Sequence, residues 1–206
     1  MDTDKDATAD SPKALWTSAN IVTCIRIALV PVWLAAAEAV APSDGSAFSA
    51  GAFGVALLFV AISLTDKLDG YLARSRHEIT TFGKFLDPIA DKLSVVTALC
   101  FLLESGMTSS WVLFIVIARE FLVSGLRMVV ASKGIVIAAS NLGKWKTATT
   151  MIAICGLLLT RCLPAGSFSL GLTTLSEVLL LIAIVFTAWS GIDYFIKCWP
   201  YVMEDA

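Results

Sequence analysis

Apolar residues dominate this chain in long runs separated by short polar breaks, and runs of about 20 residues predict helices that cross a bilayer. The first extends from about Asn20 to Ala41, with Arg26 near its start and Pro31 further along. The second carries no charge from Gly45 to Thr65, and its helix is expected to continue to about Arg74. Between Lys92 and Glu104 the charge-free segment is too short to span alone, so the third helix has to begin near Lys84 or Phe85, drawing Asp87 and Asp91 into its early turns. A fourth run covers about Ser110–Ala131 and a fifth about Leu142–Arg161. After the turn at Pro164 and Gly166 a sixth covers about Gly171–Ile196. The expected fold is an all-α integral membrane protein with about six transmembrane helices. Residues 1–13 form a polar, disordered tail, 14–199 the transmembrane domain and 200–206 a short C-terminal tail.

Composition agrees with this frame: 57% of the 206 residues are hydrophobic and 16% charged, far more apolar than an ordinary soluble domain. Six spans with short connections leave no room for a sizeable soluble domain. The net charge of −2 says less than where the charges fall. Connections near 42–47 and 104–109 carry no Lys or Arg, and that near 161–171 carries only Arg161, whereas 67–92 and 127–146 are basic. The positive-inside bias therefore puts both termini and the 66–91 region on the cytoplasmic side. Trp16 at one end, and Trp189, Tyr194 and Trp199 at the other, read as interfacial aromatics. The acidic N-terminal stretch lacks the basic start and apolar core of a cleaved signal. Cys24, Cys100, Cys155, Cys162 and Cys198 are scattered through apolar runs and read as small buried hydrophobes.

The candidate chemistry lies in DKLDGYLARSRHEITTFGKFLDPIAD, from Asp66 to Asp91. At about 100° per residue, Asp66, Asp69, Gly70 and Ala73 share one helix face with Arg74 at its edge, while Gly83, Asp87 and Asp91 share a face of the next helix. Like charges grouped in a poorly hydrated site repel and drive proton uptake unless something neutralises them. Four carboxylates with no His or Cys among them suit two hard divalent cations, Mg²⁺ or Mn²⁺. The small residues Gly70, Ala73 and Gly83 leave space for a phosphate-bearing ligand, and Arg74 offers a fork for its oxygens. His77, between the two halves, reads as solvated.

The pattern Asp66-x₂-Asp69-Gly70-x₂-Ala73-Arg74-x₈-Gly83-x₃-Asp87-x₃-Asp91 resembles, at every fixed position, the signature of the CDP-alcohol phosphatidyltransferases. These membrane enzymes move a phosphatidyl group from a CDP-linked lipid to an alcohol. The resemblance implies that Asp66, Asp69, Asp87 and Asp91 are metal ligands and that Asp91 is also the general base. It implies too that Asp66, Asp69, Gly70, Ala73, Arg74 and Gly83 bind the CDP-lipid, that CMP leaves, and that the protein is a homodimer. The segments NIVTCIRIALVP, AREFLVSGLR and GKWKT resemble the branch of the family whose acceptor is sn-glycerol 3-phosphate, with CDP-diacylglycerol as donor.

Arg119 lies about twelve residues, or ~18 Å, from the cytoplasmic end of its helix, which calls for a polar cavity or an internal partner. Glu120 is a candidate for that partner. Arg119, Arg127, Lys144 and Lys146 are candidates for the acceptor's phosphate, with Asn20, Arg26 and Lys133 as possible additions. Two plainer readings stay open: Arg26 snorkelling to the interface, and the basic residues facing anionic headgroups of the inner leaflet. Inositol phosphate and phosphatidylglycerol are alternative acceptors, and prenyl transfer of the UbiA type or cation transport are more remote functions. Nucleic acid is not an expected partner.

Overall fold

A computed structural model describes residues 17–75, 81–134 and 141–203. The tail expected over 1–13, Trp16 and His77 lie outside the described residues. Six α-helices and no strands make up what is described: α1 (Ser18–Ala39), α2 (Ala50–Ser75), α3 (Thr81–Glu104), α4 (Ser110–Ser132), α5 (Asn141–Thr160) and α6 (Ser167–Met203).

Local chemistry sets the helix ends. Thr17 caps α1, its hydroxyl accepting from the Asn20 amide at 3.3 Å, and Ser109 caps α4 by accepting from the Trp111 amide at 3.2 Å. Both satisfy amides that have no partner within the helix. α3 ends at Glu104, and just beyond it Gly106 turns the chain with a φ of 70° that only glycine adopts readily. The Met107 amide there donates back to the Leu102 carbonyl at 2.9 Å. α3 starts at Thr81, a few residues before the position near Lys84 or Phe85 that apolarity suggests, because the polar motif residues keep helical geometry. α6 runs on through Pro200 to Met203, past the point where the sequence places a C-terminal tail.

Asn20–Ala39 and Ser167–Tyr201 are long and apolar enough to cross a membrane, while Ala50–Thr65 and Trp145–Thr160 are shorter apolar stretches. The charges that interrupt α3 and α4, among them Asp87, Asp91, Arg119 and Glu120, are the candidate site residues. Large apolar side chains such as Phe121, Met128 and Trp111 point outward on the bundle surface, as expected of a protein surrounded by lipid.

α1 packs against α2 and α3, α5 against α2 and α6, and α4 against α6. The core sits toward the end where α1 and α5 finish. There the Trp33 ring packs on Phe59 and Phe101 with centroids 5.2 and 5.6 Å apart, and its indole N–H donates to the Val55 carbonyl at 3.0 Å. Leu99, Leu102, Ile154 and Leu157 close around them. α5 and α6 approach closely at Gly156, where an added Cβ would collide with the Ser176 hydroxyl. Small residues at a crossing are what membrane helices use to gain dispersion contact.

Beyond this core, the loop after α1 and the loop after α5 are joined by three backbone hydrogen bonds. The Ser43 amide donates to Arg161 (2.7 Å), Ser49 to Cys162 (2.9 Å) and Ala165 to Gly45 (2.8 Å). This joined end is the far end below. The opposite end, where α2 delivers Asp66 to Arg74 and α3 begins, is the motif end.

Candidate active site

α3 carries Asp87 and Asp91 four residues apart on one face, toward α4 and α5. Both line a cavity of about 490 Å³ together with Pro88, Lys92, Arg119, Glu120, Val123, Ser124, Arg127, Gly143, Lys146, Thr147 and Tyr194. The cavity therefore brings two motif carboxylates together with three of the four residues expected to bind the acceptor's phosphate. The fourth, Lys144, stands in the first turn of α5, and Asp66, Asp69, Gly70, Ala73 and Arg74 stand in the last three turns of α2. The side chains of these six lie outside the described residues. Gly83 is buried in α3.

α1 supports the carboxylates from behind. The fully buried Thr23 hydroxyl donates to Asp87 Oδ1 at 2.8 Å, which fixes the direction of that carboxylate. Arg26 is 1% exposed, and its Nε donates to Thr65 Oγ1 at 3.3 Å. It does not snorkel to the interface; it is buried at the α1–α2 crossing beside the start of the motif. Asn20 is also buried, nearer the start of α1.

On the other wall, Glu120 draws three cations together. Its Oε1 accepts from Lys146 Nζ and from Arg119 Nη1, the latter at 3.2 Å, and Lys92 Nζ lies 3.6 Å from Oε2. Lys92 also donates to the Ser124 hydroxyl. Arg119 thus has both features that its depth in α4 required: a polar cavity and an internal partner. Its Nη2 donates to Ser190 Oγ at 2.7 Å, while its buried Nε has no hydrogen-bond partner among the described residues. Arg127 Nη2 donates to the Tyr194 hydroxyl at 2.8 Å, and its guanidinium carbon lies 5.1 Å from the centre of the Tyr194 ring. Lys133 ends α4 and donates to the Tyr201 carbonyl, and it does not line the cavity.

Tyr194 is a correction to the interfacial belt read from the sequence. It is 2% exposed and sits at the cavity, whereas Trp189 and Trp199 face outward. Lys92, Thr23, Ser124 and Ser190 also contact the site's charged residues and lie outside the Asp66–Asp91 pattern. A Ser-Gly pair in the middle of the apolar α6, opposite a deep arginine, is the one signal that would have pointed to Ser190.

Cations clustered beside carboxylates, deep in a helical bundle, have the chemistry to attract an anionic, phosphate-bearing ligand. A bundle with an apolar exterior and such a cavity at one end describes a membrane protein that works on charged groups. The chain belongs to the CDP-alcohol phosphatidyltransferase family, whose pattern matches residues 16–189. It is 41% identical, over 187 residues, to the CDP-diacylglycerol–glycerol-3-phosphate 3-phosphatidyltransferase of Bacillus subtilis (strain 168), covering 87% of this chain and 94% of that one. The enzyme of the same name from Rickettsia bellii is 39% identical over 182 residues, 88% of this chain and 95% of the relative. A cardiolipin synthase (CMP-forming) of Oryza sativa subsp. japonica is 34% identical over 209 residues, 94% of this chain and 60% of the relative.

Proposed function

We infer that this chain transfers the phosphatidyl group of CDP-diacylglycerol to the 1-hydroxyl of sn-glycerol 3-phosphate, giving phosphatidylglycerophosphate and CMP. The observation that carries this reading is the single cavity lined by Asp87, Asp91, Arg119, Arg127 and Lys146. A displacement at phosphorus needs a proton acceptor and a seat for the acceptor's own phosphate within reach of each other. Asp91 would take the proton from the 1-hydroxyl as its oxygen bonds to the phosphorus that carries diacylglycerol. The bond from that phosphorus to the CMP oxygen then breaks. Arg119, Arg127, Lys144 and Lys146 would hold the phosphomonoester, which carries about −2 charge near neutral pH. Gly70, Ala73, Arg74 and Gly83, with Asp66 and Asp69, would receive the cytidine diphosphate.

Asp87 and Asp91 supply only oxygen, from one helix face that opens on the cavity, and Thr23 holds Asp87 in a fixed direction. Such donors fit a hard divalent cation, so Asp66, Asp69, Asp87 and Asp91 would hold two Mg²⁺ or Mn²⁺ ions. When bound, the ions would neutralise the diphosphate and the charge that develops on the leaving oxygen.

We further read all six helices as spanning a bacterial inner membrane, with both termini and the motif end in the cytoplasm. Nucleotide-activated lipid and soluble acceptor then meet on one side. Two chains would pair as a homodimer through lipid-facing surface. The test is to give the purified protein CDP-diacylglycerol with each acceptor in turn and to identify the lipid formed. Phosphatidylglycerophosphate is expected with glycerol 3-phosphate, abolished by EDTA and restored by Mg²⁺ or Mn²⁺. Product with phosphatidylglycerol, inositol phosphate or serine, and none with glycerol 3-phosphate, would overturn the acceptor.

A further inference from the structure

α6 carries no charged residue between Glu177 and Asp193, yet it holds two arginines of α4. Ser190 is fully buried and its hydroxyl takes Arg119 Nη2 at 2.7 Å. One residue on, Gly191 leaves a gap that the Arg119 side chain occupies, since a Cβ there would lie 3.2 Å from Arg119 Cγ. One turn further, the buried Tyr194 takes Arg127 Nη2 on its hydroxyl and places its ring against the guanidinium. At about 100° per residue, Ser190 and Tyr194 stand within about 40° of each other on α6, so one stripe serves both arginines.

The chemistry of these partners is telling. Arg119 already shares the Glu120 carboxylate with Lys146, and a further carboxylate would neutralise more of the charge and compete with any phosphate that arrives. A hydroxyl, a ring face and a missing side chain fix the direction of a guanidinium without adding negative charge. An arginine loses substantial rotamer freedom when held. A site that has done this before the ligand arrives binds more tightly than one that has not.

We propose that Ser190, Gly191 and Tyr194 are positioning residues that aim Arg119 and Arg127 at the acceptor's phosphate, so that acceptor recognition depends on a helix that supplies none of its charges. The proposal rests on the acceptor-phosphate reading given under Proposed function. It differs from a packing role, which would affect both substrates alike.

The experiment is steady-state kinetics of the full chain in detergent micelles, varying glycerol 3-phosphate and CDP-diacylglycerol separately. Tyr194→Phe and Ser190→Ala each remove one hydroxyl acceptor and little volume. Each is expected to raise the acceptor KM about tenfold, the scale of one hydrogen bond to a charged group, with the CDP-diacylglycerol KM and the unfolding temperature unchanged. Gly191→Ala should raise the acceptor KM in the same selective way, by less. Tyr194→Phe in an Arg127→Ala background, and Ser190→Ala in an Arg119→Ala background, should add nothing further, because the hydroxyl acts only through the arginine. Equal rises in both KM values, or full effects that persist without the arginine, would overturn the proposal. If the wild-type chain ignores glycerol 3-phosphate but turns over another phosphorylated alcohol, the acceptor assignment fails, and the same KM comparison with that alcohol decides the positioning role.

Discussion

The two ends of this bundle are built from the same six helices and solve opposite problems. At the far end, Trp33, Phe59 and Phe101 interlock, Gly156 lets α5 and α6 close on each other, and backbone hydrogen bonds join two loops. At the motif end the helices stand apart around about 490 Å³, and the space is lined by carboxylates, lysines and arginines. Charges in a low-dielectric bundle are destabilising unless each finds a partner. The tight end therefore supplies cohesion that the open end lacks, and the open end holds its cations through Glu120, Ser190 and Tyr194 around the cavity. Substitutions at the open end should therefore change turnover and leave stability nearly intact, and substitutions at the tight end should do the reverse.

The largest effect is expected at Asp91. Asp91→Asn keeps size and removes the proposed proton acceptor, so turnover should fall by about 10²–10⁴, the range for a general base. The unfolding temperature should stay close to that of the wild type. Turnover within a few-fold of normal would take Asp91 out of the mechanism. At the far end, Trp33→Ala empties the centre of the aromatic cluster and removes the bond to the Val55 carbonyl. Loss of about 3 kcal/mol is expected, the low end of the range for such truncations, because lipid tails solvate the unpacked helices as well as the core does. Both KM values per folded molecule should be unchanged. Unfolding in a graded detergent titration, with activity measured in parallel, tests both halves of this pair.

The contrast also explains what the sequence reveals and what it hides. Helix order and the Asp66–Asp91 pattern are legible because apolar run length and 3.6-residue spacing are local properties of the chain. The convergence of Asp91 with Arg119, Arg127 and Lys146 is partly legible, since a deep arginine demands a cavity or a partner. Tyr194 and Ser190 are hidden, because an aromatic near the end of an apolar run looks interfacial and a lone serine inside one looks neutral. Their role exists only once α4 and α6 are packed together. Lys92 is hidden for a related reason: it counts as one more basic residue at a helix end until its contacts with Glu120 and Ser124 are seen. Arg26 looks able to reach the surface by distance along the helix alone, and only the crossing with α2 shows it buried.

A smaller effect, and one that blurs the boundary between the two ends, is expected at Glu120. Glu120→Gln keeps the shape but leaves Lys146, Arg119 and Lys92 facing one another without their shared carboxylate. In a fully dry site, removing one partner costs several kcal/mol. These side chains border an open cavity, so about 1–2 kcal/mol is expected after solvent screening. The acceptor KM should rise as well, because Lys146 and Arg119 lose their fixed directions. Replacing Glu120 by Leu and Lys146 by Met together should recover part of the stability and none of the acceptor affinity. Recovery of both would show that the cluster serves cohesion and not binding.

The smallest effect is expected at Asp44, in the far-end loop between α1 and α2. Its Oδ1 accepts from the Ser46 hydroxyl at 2.7 Å, the Ser46 amide at 2.9 Å and the Ala47 amide at 3.4 Å. These donors, the Ser46 hydroxyl foremost, hold the carboxyl below its ordinary value of 3.8. A carboxyl whose pKa is lower folded than unfolded binds its proton more weakly in the folded state. Its contribution is therefore fully present above the unfolded value and fades as pH falls through the folded one. The side chain is fully exposed, so the contribution is small. Asp44→Ala should lower the unfolding temperature slightly at neutral pH, and the difference from wild type should shrink below about pH 4. Acceptor and donor KM values should not move at any pH where both proteins are folded. A difference that grows on acidification would mean that the loop is held by something other than the ionised carboxylate, and a shift in acceptor KM would mean that the two ends are coupled through the bundle.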